Sequence, residues 1–130
     1  ALLIPLGAVF PEPPRAIYDR YLDLDARSHQ ILADARSIDA AVIVARNRDV
    51  LANLFWVRGD GDPEIRSVPP KGRARNHYAL NHPYDGTPEG PILYVDPRRP
   101  PSGCAVEPLP PWPPEIRRTA LTWRVTPPCW

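Results

Sequence analysis

Twenty prolines in a chain of 130 residues, about three times the usual share, decide where regular structure can lie. Most are clustered, at Pro11, Pro13 and Pro14, at Pro69 and Pro70, from Pro97 to Pro101, from Pro108 to Pro114, and at Pro127 and Pro128. Proline has no backbone N–H to donate and its ring fixes φ, so neither a helix nor a central strand continues through such a cluster. Helices and strands are therefore expected in the intervals between them. The length fits one domain, which can bury roughly two-thirds of its unfolded surface around a single core.

The first interval to read as a helix starts at Arg15. Ile17, Tyr18, Tyr21 and Leu22 form one stripe, and Leu24, Ile31, Leu32 and Ala35 form another. Asp23 or Asp25 can cap a second segment, which predicts a break near Asp23-Leu24-Asp25 and a longer helix ending near Ser37. Ala40 to Ala45, AAVIVA, is a continuous β-branched and apolar run of the kind found in strands covered on both faces. A polar turn from Arg46 to Asp49 leads into a helix over Val50 to Arg58, with Val50, Leu51, Leu54 and Phe55 on its apolar side and Gly59 and Gly61 ending it. Glu64 to Val68 alternates and stops at Pro69, so strand, helix and strand form a right-handed βαβ unit with parallel pairing. His77 to Leu80, Pro91 to Val95 and Thr119 to Thr126 are further strand candidates, and the stretch between Asp96 and Pro114 reads as irregular. The expected class is α/β, a small open sheet with a βαβ unit and helices packed on it.

Composition excludes several functions. The net charge is +1, with 16 basic and 15 acidic residues mixed along the chain, so no long-range field favours nucleic acid. Only Lys71 among the basic residues is lysine, which fits a compositional bias as well as a need for bidentate anion contacts. Gly59-x-Gly61 lacks a third glycine and follows a helix, and neither a Walker sequence nor a G-x-S-x-G elbow occurs. His29, His77, His82 and the two cysteines match no zinc spacing, so no metal is expected. Arg58-Gly59-Asp60 spells an adhesion tripeptide but also makes an ordinary helix-ending turn, and it is given no function.

The opening run ALLIPLGAVF is apolar and uncharged but much shorter than the ~20 residues a spanning helix needs. It reads as a core strand or as the last turns of a transmembrane helix cut short. Pro5 and Gly7 weaken the strand, and the abrupt change at Phe10-Pro11-Glu12-Pro13-Pro14 favours a membrane exit followed by a stiff linker. The absence of methionine fits a processed product or an excised piece. Residues 1–14 are thus expected to be helix end and linker, and 15–130 the α/β domain.

An ordered series of segments then resembles a known family. Ile17-Tyr18-Asp19-Arg20-Tyr21-Leu22, Ser28-His29-Gln30-Ile31, Val42 to Asp49 with Asn47-Arg48-Asp49, and Leu51 to Phe55 look like the C-terminal soluble region of bacterial membrane glycosyltransferases related to the dolichyl-phosphate-mannose protein mannosyltransferases. The similarity continues through Pro69-Pro70-Lys71-Gly72-Arg73, Asn76 to Leu80, His82-Pro83 and Gly90 to Val95, then fades until Thr119 to Val125. The resemblance implies a membrane body that takes sugar from a polyprenyl-phosphate donor, followed by a soluble tail outside the cytoplasm. It places the catalytic acid in that body, so no residue of this chain inherits a catalytic role and no cofactor is expected. Implied partners are the transmembrane body of the same protein and a lipid-linked sugar phosphate or the membrane surface. Arginines beside a span ordinarily point to the cytoplasmic side, but that rule weakens for whole folded domains.

The candidate ligand residues follow from their place in the fold. Arg46, Asn47 and Arg48 lie where a strand's carboxyl end meets a helix N-terminus, the usual crevice of open α/β sheets. They can hold an anion there, or Asn47 can simply cap the helix with Asp49 offsetting its dipole. Lys71, Arg73 and Arg75 precede Asn76-His77-Tyr78, a basic loop that either faces a phosphate, sugar or membrane surface or is merely solvated. His77 reads as partly buried and bonded to backbone rather than as a general base. Cys104 and Cys129 can bond in an oxidising compartment, adding ~3 kcal/mol by closing the loop between them, or stay as free thiols in a reducing one. Trp112, Trp123 and Trp130 read as core or tail anchors rather than as sugar platforms. Three functions are left to separate: an accessory extracytoplasmic domain of a glycosyltransferase, a free-standing domain binding a nucleotide or sugar phosphate at Arg46 to Asp49, and a small hydrolase using His77.

Overall fold

The computed structural model describes residues 15–96, 103–116 and 121–130, with side chains in the first helix from Leu22 onward. The apolar lead-in and linker of residues 1–14 lie outside the described residues.

The first helix, α1 (Arg15–Ser37), runs unbroken for 23 residues. The break expected near Asp23-Leu24-Asp25 does not occur. Asp25 instead pairs with His29 four residues on at 3.6 Å, and Arg27 donates to the Asp23 carbonyl, so the polar face supports helix where the sequence suggests a cap. With no glycine or proline at that point, the aspartates have no turn to start. Ser28, Ile31, Leu32 and Ala35 are buried at helical spacing and form the face that packs inward.

Strand β1 (Val42–Ala45) is fully buried on both sides, as its continuous apolar run requires. Asn47 caps the next helix, α2 (Arg48–Val57), which leads into β2 (Glu64–Ser67). β1 pairs with β2 in parallel, Val42 opposite Glu64 and Ala45 opposite Ser67. β3 (Ile92–Asp96) lies on the other side of β1, also parallel, with Val42 opposite Ile92. β5 (Leu121–Thr126) then pairs antiparallel with β3, and β4 (Ala105–Pro108) antiparallel with β5. The described residues thus form one mixed, open sheet in the order β2-β1-β3-β5-β4. The α/β class, the open sheet and the packed helices agree with the sequence.

Two elements differ from expectation. His77 to Leu80 is not a strand but the start of the short helix α3 (His77–Asn81), because the Asn76 side chain accepts from the Ala79 N–H at 2.9 Å and starts a helical turn. Four residues of mixed polarity are too few for alternation to outweigh that cap. The stretch between Asp96 and Pro114 holds β4, whose four residues are all exposed. An edge strand wet on both faces carries no hydrophobic alternation, and the proline at its end is tolerated there.

The sheet separates two cores. On one face Ile43, Ala45, Ile65, Leu93 and Val95 meet Ile31, Leu32 and Ala35 of α1 and Leu51 and Leu54 of α2, with Trp112 against them. On the other, Val42, Val44, Ile92, Tyr94, Trp123 and Val125 are covered by Val68, Tyr84 and Cys129. Helices cover the first face, whereas loops and the segment after β5 cover the second, pinned by a Cys104–Cys129 disulfide. Gly90 lets the chain enter β3: its φ is +133° and a Cβ there would stand 2.9 Å from that of Ala41.

Candidate functional site

Chain order makes the crevice. From β1 the chain crosses through α2 to β2 on one side, then returns to β3 on the other, so the carboxyl ends of β1 and β3 diverge at a topological switch point. Arg46 follows β1 directly, and Asp96 ends β3. Alternation along β3 puts Asp96 on the same face as Tyr94 and Ile92.

Asp96 is the centre of the resulting cluster. Its Oδ2 accepts from the Tyr94 hydroxyl at 3.0 Å and lies 3.9 Å from Arg46 Nε. Arg75, from the loop before α3, reaches back to the end of β2, where Nη2 donates to the Val68 carbonyl at 3.0 Å and to Ser67 Oγ at 3.4 Å. Burial, and then the nearby charge of Arg46, lower the pKa of the Arg75 guanidinium. Trp130 lies against the Tyr94 ring at 5.4 Å between centroids and edge-on to Tyr84 at 5.6 Å, with 43% of its surface exposed. An aromatic wall therefore adjoins a carboxylate and two guanidiniums.

Burial pushes the Tyr94 phenol up to about 12, helped by Asp96 as hydrogen-bond acceptor and negative neighbour and opposed by Arg46. The folded state thus favours the neutral phenol. Its contribution to stability is complete below pH 10, the ordinary phenol value, and disappears as pH rises towards about 12. The loss is about 2 kcal/mol. Urea unfolding at pH 9 and pH 11.5 should register it, and Tyr94→Phe should flatten that part of the profile. An unchanged slope in the variant would show that this phenol does not titrate as its surroundings require.

The other sequence candidates sit elsewhere. The Asn47 side-chain Oδ1 accepts from the Asp49 and Val50 N–H groups at 2.8 and 3.2 Å, so the helix end is satisfied from within the turn. Arg48 is exposed on the first turn of α2. Lys71 and Arg73 are exposed in the loop after β2. His77 opens α3, exposed, with Nδ1 3.0 Å from Asn81 Nδ2 and its ring edge-on to Tyr78. Phe55, Tyr78 and His82 pack beside it in a ring cluster that joins α3 to α2. Of the residues named from sequence, Arg46 and Arg75 join the crevice cluster.

Sequence reasoning grouped Arg75 with its loop and missed Tyr94, Asp96 and Trp130 as site residues. A signal for Asp96 was available, since a carboxylate ending a parallel strand at a switch point is a ligand position by topology. None existed for Trp130, which the disulfide brings back over the sheet. Among the described residues, no group of three His, Cys, Asp or Glu is arranged to hold a metal, and no helix is long and apolar enough to cross a membrane.

Over 100 residues the chain is 29% identical to the lipid A galacturonosyltransferase RgtD of Rhizobium johnstonii. The match covers 73% of this chain and 21% of that protein, so the chain spans about a fifth of the length of this relative. No family model matches the chain, and no solved structure matches it. The likeness is weak and supports a relationship to a glycosyltransferase.

Proposed function

We propose that the chain is a non-catalytic, extracytoplasmic C-terminal domain of a membrane glycosyltransferase that uses a polyprenyl-phosphate sugar, akin to the protein mannosyltransferases. It supports the membrane body of the same protein or positions donor or acceptor over it. The observation that carries this reading is the match to about a fifth of a lipid A galacturonosyltransferase, which is what a module of a larger transferase would give. The Cys104–Cys129 bridge supports the location, because such bonds persist in oxidising compartments. The apolar residues before Pro11 supply the tether in this reading.

Two measurements test the proposal. The reading frame ahead of Ala1 is expected to encode several membrane-spanning segments, and the purified chain is expected neither to transfer nor to hydrolyse a polyprenyl-phosphate sugar in the presence of lipid A. A frame without spanning segments, or turnover by the chain itself, would overturn it. Binding of a nucleotide or sugar phosphate on the Arg46 to Asp49 turn by a free-standing domain has less support, because Asn47 already occupies the helix N–H groups.

A further inference from the structure

We propose that Arg46, Arg75, Tyr94, Asp96 and Trp130 form a binding site for an anionic hexose, with the sugar ring against the indole and its acidic group on the two guanidiniums. The inference rests on reading the chain as a domain that handles donor or acceptor sugars, and it names which chemical feature of them is gripped.

Three observations converge on that ligand class. Arg46 is half exposed and meets Asp96 only at 3.9 Å, while the hydrogen bonds of Arg75 go to the neutral oxygens of Val68 and Ser67. Among the described residues these two guanidiniums have one carboxylate beside them, Asp96 next to Arg46, a balance that favours an acidic ligand. Planar guanidinium forks match carboxylate and phosphate oxygens. A pure anion site would not place Asp96 at its centre, where it repels the ligand. A carboxylate does suit a polyhydroxylated ligand, because an ionised carboxylate is an acceptor only and sugar hydroxyls donate to it. The Tyr94 hydroxyl, spent on Asp96, orients that carboxylate.

The aromatic wall supplies the third element. Trp130 leans on the Tyr94 ring at 5.4 Å, one ring from the carboxylate, and still exposes 43% of its surface. A sugar has an apolar C–H face that covers an indole while its hydroxyls reach polar neighbours. By contrast Trp56 of α2, at 79% exposed, makes no ring contact among the described residues and serves as the control.

The test is calorimetric titration of the 130-residue chain with glucose 1-phosphate, glucuronate, glucose and inorganic phosphate. At least one of the two anionic hexoses is expected to bind about tenfold tighter than either glucose or phosphate. Binding of glucose 1-phosphate alone identifies a phosphate as the acidic group, binding of glucuronate alone identifies a carboxylate, and binding of both shows that charge suffices. Arg46→Ala should weaken the bound hexose about tenfold and Trp130→Ala about fivefold, whereas Trp56→Ala should leave it unchanged. Arg75→Lys, which keeps the charge and loses the fork, should fall between Arg46→Ala and the parent. Failure of both anionic hexoses to bind more tightly than glucose and inorganic phosphate, or indifference to Arg46→Ala and Trp130→Ala, would each overturn the site. Any of these failures would leave the reading-frame and turnover tests of the domain's role standing.

Discussion

Serine at both Cys104 and Cys129 should lower the free energy of unfolding by about 3 kcal/mol and the melting temperature by roughly 10 °C. The bond spans a sequence separation of 25 residues, so removing it frees a long loop in the unfolded chain and adds entropy there. In the folded state it ties the start of β4 to the segment after β5, and among the described residues β4 pairs only with β5. Cys129 is also 8% exposed and packs with Tyr84, Tyr94 and Trp123, so some apolar contact goes with the sulfur. Thermal melts of the parent chain with and without dithiothreitol should reproduce the difference, and a melt indifferent to reduction would refute it. The same variant bears on the crevice. Trp130 follows Cys129 directly, so losing the bond should weaken a bound anionic hexose by as much as Trp130→Ala does, with the Arg46 contribution retained.

The sequence made the sheet more legible than the site. Ala40 to Ala45 and Pro91 to Val95 are apolar runs bounded by turn residues, and their burial on both faces leaves a signal that requires no partner to be known. Parallel pairing of β1 with β2 followed from the intervening helix. What failed was local and polar. Asp23 and Asp25 have the chemistry of caps, but a cap needs a turn to precede it, and only the running helix shows that Asp25 instead pairs with His29 and that the Asp23 backbone carbonyl accepts from Arg27. At Asn76 the error was reversed, since a true cap was passed over in favour of a weak alternation. The crevice cluster was mostly hidden because its members come from four separate segments. Arg46 could be named from the strand-to-helix turn alone. Arg75, Asp96 and Trp130 join it only through the β3 crossover and the disulfide, and neither long-range contact leaves a mark in local sequence.

The two faces of the sheet also divide the labour. The helix-covered face carries the larger set of buried aliphatic side chains, and its polar contacts are internal: Asn53 of α2 donates to Ser28 Oγ at 2.6 Å and to the Leu24 carbonyl of α1 at 3.2 Å. The loop-covered face contains the aromatic rings and opens at its carboxyl edge onto the crevice cluster. Ligand sites are generally carried by loops on a rigid scaffold, and the loop-covered face has that disposition.

Asp34 is where the rigid face is most exposed to a single substitution, and Asp34→Ala should destabilise the chain by about 3 kcal/mol. One carboxylate oxygen accepts from Trp112 Nε1 at 2.9 Å and from Thr122 Oγ1 at 3.0 Å, while the other accepts from Gln30 Nε2 at 2.9 Å. The aspartate thereby joins α1 to β5 and to the loop bearing Trp112. Both donors are buried, Trp112 at 7% and Thr122 at 5% exposed, so alanine strands an indole N–H and a hydroxyl away from water. The desolvation of those orphaned donors dominates over the lost bonds themselves. Asp34→Ala combined with Thr122→Val removes one orphan together with its acceptor, so the double variant should lose less than the two single losses added together. Urea denaturation of the four proteins measures the coupling directly. A strictly additive cycle, or a loss from Asp34→Ala within about 0.5 kcal/mol of zero, would mean that solvent replaces the carboxylate and that the link between α1 and β5 is not what holds this face together.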